Sequence, residues 1–190
     1  MRVIIAFLIC LSSFKGHSQD EKAQITASVN SYLGLFEKGE YEKIIPYVYP
    51  KLLTNVSAGQ LTAGFKNIFD NPNFEFKFSN SKIGNIGDVR TIKSEKFALV
   101  EYSYKMTMLI KDNYANKLKD RSAMLSTYQK RYGEENVKYD AAADRYDMLI
   151  TKKMYAINSP PSKEWKFVDA EKSKKASLSE ILPAELLTDL

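Results

Sequence analysis

The chain has 190 residues, 44% of them hydrophobic and 12% aromatic, enough for one domain with a packed core and too apolar for a globally disordered chain. Its formal net charge of +5 is mild, and the basic residues are spread along the chain. The densest group, Lys172, Lys174 and Lys175, reads as a solvated turn, so no nucleic-acid partner is expected. With one cysteine and one histidine, thiolate metal sites and histidine-based acid–base catalysis have almost nothing to build on.

The first segment reads as a targeting sequence. Arg2 is a positive start, Val3 to Leu11 is a short apolar run, and Gly16-His17-Ser18 offers small residues before Gln19, the pattern of a cleaved export signal over 1–18. The run is too short for a permanent membrane span. Cys10 has a second reading as a lipid-attachment site, although Ile9 is bulkier than the small residue expected before it. Cleavage removes Cys10, His17, Arg2 and Lys15, so the net charge falls from +5 to +3. The remainder, 19–190, shows no repeat and no linker and is expected to be a single exported domain, periplasmic or secreted and bacterial in type.

Along that domain the hydrophobic period is first helical. Ile25, Val29, Tyr32, Leu33 and Phe36 form one apolar stripe, which predicts a helix over about 21–38. Gly39 stops it, because glycine takes the left-handed cap conformation cheaply. A second helix is expected over about 41–48, ended by Pro50, and then an extended link over 51–56. Ser57 with Gln60 has capping-box spacing for a third helix carrying Leu61, Phe65, Ile68 and Phe69. Asp70-Asn71-Pro72-Asn73 closes it.

The period then changes to two. Phe74, Phe76 and Phe78 predict a strand, which continues through a bend between Ser79 and Asp88. The clearest strand is 97–110, with Ala98, Val100, Tyr102, Tyr104, Met106, Met108 and Ile110 on one face; its length predicts a bend or bulge within it. Tyr114, Leu118, Leu125, Tyr128 and Tyr132 predict an inserted helix ending at Gly133. The following GEENVKYD reads as a solvated loop. Strands are expected over 144–158 and 164–171, with a turn at Ser159-Pro160-Pro161-Ser162, then a partly helical tail. The fold class is therefore α+β: three N-terminal helices packed on a strongly bent antiparallel sheet, with a helical insertion between two strands.

That order resembles the nuclear-transport-factor-2-like superfamily, the cystatin-like α+β cones, over nearly the whole mature chain. The most specific local likeness is to the ketosteroid-isomerase/SnoaL-like branch: Val29 and Tyr32, then Gly39 and Glu40 seven residues later, match its V-x-x-Y and Gly-Asp pattern. The resemblance implies a hydrogen-bond donor role for Tyr32, and it places the catalytic base on Val56, which cannot take a proton. No Asp or Glu lies between Lys43 and Phe69. The cyclases of the same branch rely on histidine, which the mature chain lacks.

In such a cone the space between helices and sheet is the ligand site. The candidate lining is Tyr32, Phe36, Tyr47, Tyr49, Tyr102, Tyr104, Met106, Tyr155 and Trp165, an apolar wall with hydroxyl handles; tyrosines at core periodicity read first as packed side chains with the hydroxyl at the rim. Three functions follow. One is a non-catalytic domain binding a small apolar ligand or a protein partner. The second is an isomerase or cyclase using Tyr32 with Glu101 or Asp147. The third is an assembly module, a homodimer through the outer sheet face. Neither a cofactor nor a metal is expected: Asp140, Asp144 and Asp147 lack the loop glycine and bidentate glutamate of a calcium hand.

Overall fold

The computed structural model describes residues 13–118 and 120–190; the readings of Val3 to Leu11 and of Cys10 lie outside them. Helix α1 (Ser13–Lys38) passes through the expected cleavage junction and presents Ile25, Val29 and Leu33, all buried. Gly39 ends it at φ +68°. There Gly39 N donates to Phe36 O (3.1 Å) and Glu40 N to Leu35 O (2.9 Å), so the last carbonyls of the helix find donors.

The next two expectations need correction. Tyr41–Tyr47 is a 3-10 helix with Pro46 inside it. Proline has no N–H to give an i−4 carbonyl, which favours a short, tighter turn over an α-helix. The expected extended link contains a one-turn helix, α2 (Leu52–Asn55). Helix α3 (Ala58–Phe69) follows, and Ser57 and Gln60 form the reciprocal capping box.

Six strands then make one antiparallel sheet, not closed into a barrel: β1 (Phe74–Ile86), β2 (Arg90–Ile92), β3 (Glu95–Ile110), β4 (Val137–Asp140), β5 (Arg145–Asn158) and β6 (Lys166–Asp169). The long pair β3–β5 is its spine. β1 and β2 pair with one edge of that spine, β4 and β6 with the other. The β3–β5 register runs unbroken from Lys96↔Asn158 to Leu109↔Arg145. The irregularities lie instead in β1, between Ser79 and Lys82 and between Ile83 and Asn85, with Asn80 at φ 56°. The bend expected within 97–110 is thus taken up by the edge strand, where an extra residue leaves only one ladder to disturb.

Two short helices, α4 (Asp112–Ala115) and α5 (Arg121–Tyr132), fill the insertion. Tyr114, Leu118, Leu125, Tyr128 and Tyr132 pack on Met108, Tyr146 and Met148. Arg121 holds α5 to the sheet by two hydrogen bonds to Asp144 (3.0 and 2.6 Å), and Tyr146 OH donates to Arg121 O (2.8 Å). The segment read as a solvated loop contains β4: Val137 is 2% exposed and pairs with Met148.

Alternation along the spine gives the sheet two different faces. The inner row of β3 and β5 packs against α1 at one end and α5 at the other. On the outer face, Phe97, Tyr155 and Ile157 are covered by the C-terminal tail through Leu178, Ile181, Leu182, Leu186 and Leu187. That tail includes α6 (Lys175–Leu178) and a 3-10 turn over Ala184–Asp189. Among the described residues no helix is long and apolar enough to cross a membrane.

Candidate functional site

Between the helices and the inner sheet face lies a cavity of about 780 Å³, within the roughly 300–1,000 Å³ range of small-molecule sites. Its floor is Tyr32, Leu33 and Phe36 of α1 with Phe78, Tyr102, Tyr104 and Phe167 of the sheet. Its roof is Leu52 and Val56 around α2, and Leu61, Phe65 and Ile68 of α3. The tail closes one side with Leu178 and Ile181.

The roof is unusual in its packing. α3 has a clear apolar face but no buried residue, and Ile68 is 40% exposed. Full burial of one such side chain is worth roughly 1.5–3 kcal/mol. A helix that leaves Leu61, Phe65 and Phe69 only half-buried and Ile68 exposed forgoes part of that stabilisation. It is anchored at its C-terminal end, where Phe69 stacks on Tyr41 (5.6 Å) and meets Phe78 (5.4 Å), while Phe65 meets Phe36 edge-on (5.3 Å). Near its N-terminal end, Asn55 Nδ2 donates to Glu180 of the tail (2.8 Å).

Of the tyrosines expected in the lining, Tyr32, Tyr102 and Tyr104 reach the cavity, as does Phe36. The others are elsewhere. Tyr47 stacks behind the wall on Phe167 (6.4 Å, 7° between planes). Met106 lies at the α5 end of the sheet, and Trp165 is buried in the α1 core. Tyr49 is buried, its hydroxyl donating to Glu95 (3.0 Å). Tyr155 is on the reverse sheet face, its hydroxyl donating to Leu186 O (2.5 Å). Odd and even positions of a strand point to opposite faces, so Tyr155 and the cavity-lining Lys152 of the same strand cannot share a side.

The same alternation separates the two candidate acids from the cavity. Glu101 belongs to the outer row of β3, in register with Asn85 and Lys153. Asp147 lines a small outer depression with Lys105, Thr107 and Arg145. It accepts from Thr107 Oγ1 (2.9 Å) and pairs with Lys105 (3.3 Å) and Arg145 (3.2 Å). Burial there would raise its pKa, but these donors and charges outweigh it and hold the carboxyl low. Asp140 and Asp144 are likewise paired, with Arg145 (3.2 Å) and Arg121 (2.6 Å). Among the described residues no cluster of potential metal ligands forms.

The cavity does hold charge, from two residues not expected in its lining and from Lys174, one of the group expected as a solvated turn. Lys152 and Asp169 both line it, as does Lys174. Lys152 Nζ hydrogen-bonds Glu171 and lies 3.8 Å from Asp169 Oδ2; Lys174 Nζ is 3.0 Å from the same oxygen. Burial works to lower the Lys152 pKa, but Asp169 and Glu171 outweigh it and hold it above the ordinary lysine value. Burial pushes all three cavity phenols upward, Tyr104 to about 12, so each is a neutral O–H donor at physiological pH.

A signal for Lys152 was present in the alternation. It is the one charged residue in the inner β5 row Tyr146, Met148, Ile150, Lys152, Met154 and Ala156. Asp169 follows Phe167 by two and so shares its face. Lys174 gave no such cue, since its partners are brought to it by the turn after β6.

Compared with known proteins, the chain matches no family model, no curated protein and no solved structure.

Proposed function

We propose that this chain is an exported, non-catalytic domain of the nuclear-transport-factor-2-like kind that holds a small apolar ligand between its helices and sheet. The observation that carries the reading is the cavity itself: about 780 Å³, walled by aromatic and aliphatic side chains and roofed by a helix with no buried residue. Such a surface is stabilised when an apolar molecule takes the place of water.

Two placements support binding over isomerase chemistry. Val56, the position where the resemblance puts the base, is on the cavity wall and is apolar. Glu101 and Asp147, the acids that an enzyme working through Tyr32 was expected to use, belong to the outer row of their strands. A homodimer through the outer sheet face has less room than expected, because the tail covers part of that face.

The test is saturable binding of a neutral apolar dye, Nile red, to the purified protein. One-to-one binding is expected, and it should be abolished by Val56→Trp, which fills the cavity wall, with the circular dichroism spectrum unchanged. Dye fluorescence that never saturates, or that is equal in the filled variant, would remove the proposal.

A further inference from the structure

The polar end of the cavity has its own chemistry, and the inference drawn from it rests on the cavity being a ligand site. The four-residue cluster there is balanced: two cations, Lys152 and Lys174, face two carboxylates, Asp169 and Glu171, while Glu180, also on the cavity wall, accepts from Asn55 Nδ2 (2.8 Å). Both lysines approach one oxygen of Asp169, Oδ2, at 3.8 and 3.0 Å. No hydrogen bond is made to its Oδ1 among the described residues, and Asp169 is on the cavity wall.

Around this cluster stand donors without acceptors. The hydroxyls of Tyr32, Tyr102 and Tyr104 have no hydrogen-bond partner among the described residues. They are not sealed away either, since the only buried side-chain polar atom without a partner there is Trp165 Nε1. Tyr102 stands opposite Lys152 in the β3–β5 register, so phenol and charged cluster are neighbours.

Each class of ligand head meets this arrangement differently. A carboxylate would have to displace Asp169 or Glu171 from a lysine, or lie against Asp169 uncompensated. An ammonium at this end would compete with two lysines for the same carboxylates, and at Glu180 it would compete with the Asn55 amide that already donates there. In a partly desolvated site neither charge is screened as it is in water. A ketone would satisfy a phenol but leave Asp169 Oδ1 without a donor. A hydroxyl accepts from a phenol and donates to Asp169 Oδ1, and disturbs no existing pair.

We propose that the ligand is an uncharged long-chain alcohol. Its hydroxyl is held between the Tyr32/Tyr102 phenols and Asp169, and its apolar body lies along Phe36, Phe65 and Ile68.

The experiment is displacement of bound Nile red by dodecanol, dodecanoate and dodecylamine, which share one apolar body. Dodecanol is expected to displace the dye at a concentration at least about tenfold lower than either charged analogue. Asp169→Asn leaves the cluster with a net positive charge, so dodecanoate should gain at least about tenfold on dodecanol. The Tyr32→Phe/Tyr102→Phe double variant, which leaves the charged cluster intact, should lose dodecanol affinity about tenfold while dodecane is unchanged. If dodecanoate or dodecylamine matches dodecanol on the unaltered protein, or if Asp169→Asn keeps the original preference, the head-group assignment is overturned and the apolar site stands. If the dye itself does not bind saturably, both fall.

Discussion

Lys152 and Tyr102 face each other across the β3–β5 ladder, so the one charged side chain of the inner β5 row stands beside a phenol at the cavity wall. The ammonium is held there by Glu171 and Asp169, which reach it from β6 and the residues after it. A lysine in an apolar row is stable only while such partners remain.

This pairing makes the acid limb of stability depend on Lys152. Burial would raise the Glu171 carboxyl, but its bond to Lys152 and the charges of Lys152, Lys174 and Arg131 together outweigh that and hold it below the ordinary value of 4.5. A carboxyl held low in the fold stabilises it fully above the unfolded pKa, and loses that contribution as pH falls through the folded one. The Lys152 ammonium, raised above 10.5, acts in the opposite limb: its contribution is intact below the unfolded value and lost as pH climbs past the folded one. Lys152→Met should therefore cost about 1 kcal/mol at neutral pH and flatten the fall in melting temperature between about pH 5 and pH 3. An acid limb identical to that of the unaltered protein would mean that the pair does not form in solution.

Two tyrosines should separate binding from folding. The Tyr155 hydroxyl is buried and bonded to Leu186 O, with Asp189 Oδ2 at 3.2 Å. Tyr155→Phe leaves that carbonyl without its donor and should cost about 1–3 kcal/mol in urea unfolding. The Tyr32 hydroxyl has no such partner among the described residues, so Tyr32→Phe should move stability by no more than about 0.5 kcal/mol while weakening ligand binding. Equal losses from the two variants would contradict the different roles given to the two sheet faces.

These placements show where the sequence was readable. The alternation of 97–110 assigned both faces of β3 correctly, and the stripe from Ile25 to Leu33 marked the buried side of α1. Local chemistry marked the ends of elements: Gly39 and the Ser57/Gln60 box stand where their spacing put them. What stayed hidden depends on partners distant in sequence. β4 has one fully buried apolar residue, Val137, after an acidic stretch, and its pairing with β5 is what makes it a strand. Tyr155 fits either a cavity or a core by composition; parity along β5 sets it on the face opposite Lys152, but the tail that buries it, Leu178 to Leu187, is distant in sequence. Lys174 reads as part of a solvated turn, and only the chain reversal after β6 brings it to Asp169, which the β5–β6 pairing sets beside Lys152.

Two glycines of the first helical segment should respond oppositely to alanine. A Cβ at Gly34 would meet nothing within 4 Å, and the residue is mid-helix, where alanine is favoured over glycine. Gly34→Ala should stabilise by about 0.5–1 kcal/mol. At Gly39 the nearest atom to an added Cβ is Phe69 Cδ1, an ordinary 3.6 Å contact, but φ is +68°. Gly39→Ala should cost about 1–2 kcal/mol from the backbone alone, and Gly39→Asn less, since asparagine tolerates that conformation. Urea midpoints of the three variants check the order; a stabilising Gly39→Ala would mean that the α1 terminus is not as described.

The roof helix offers the last prediction. α3 has no buried residue to hold it, so its N-terminal end depends on the capping box, in which Gln60 N donates to Ser57 Oγ (3.2 Å) and Ser57 N to Gln60 Oε1 (2.9 Å). Ser57→Ala removes the first bond and should cost about 1 kcal/mol. Because α3 packs on the rest mainly at its Phe65 and Phe69 end, the loss should be local. Amide exchange should rise in the first turns of α3 and stay unchanged in β3 and β5. Bound ligand should restore that protection, since it supplies the apolar contact that Leu61 and Ile68 lack. If exchange in the variant rises across the spine strands as well, α3 is an integral part of the core and not a roof over a site.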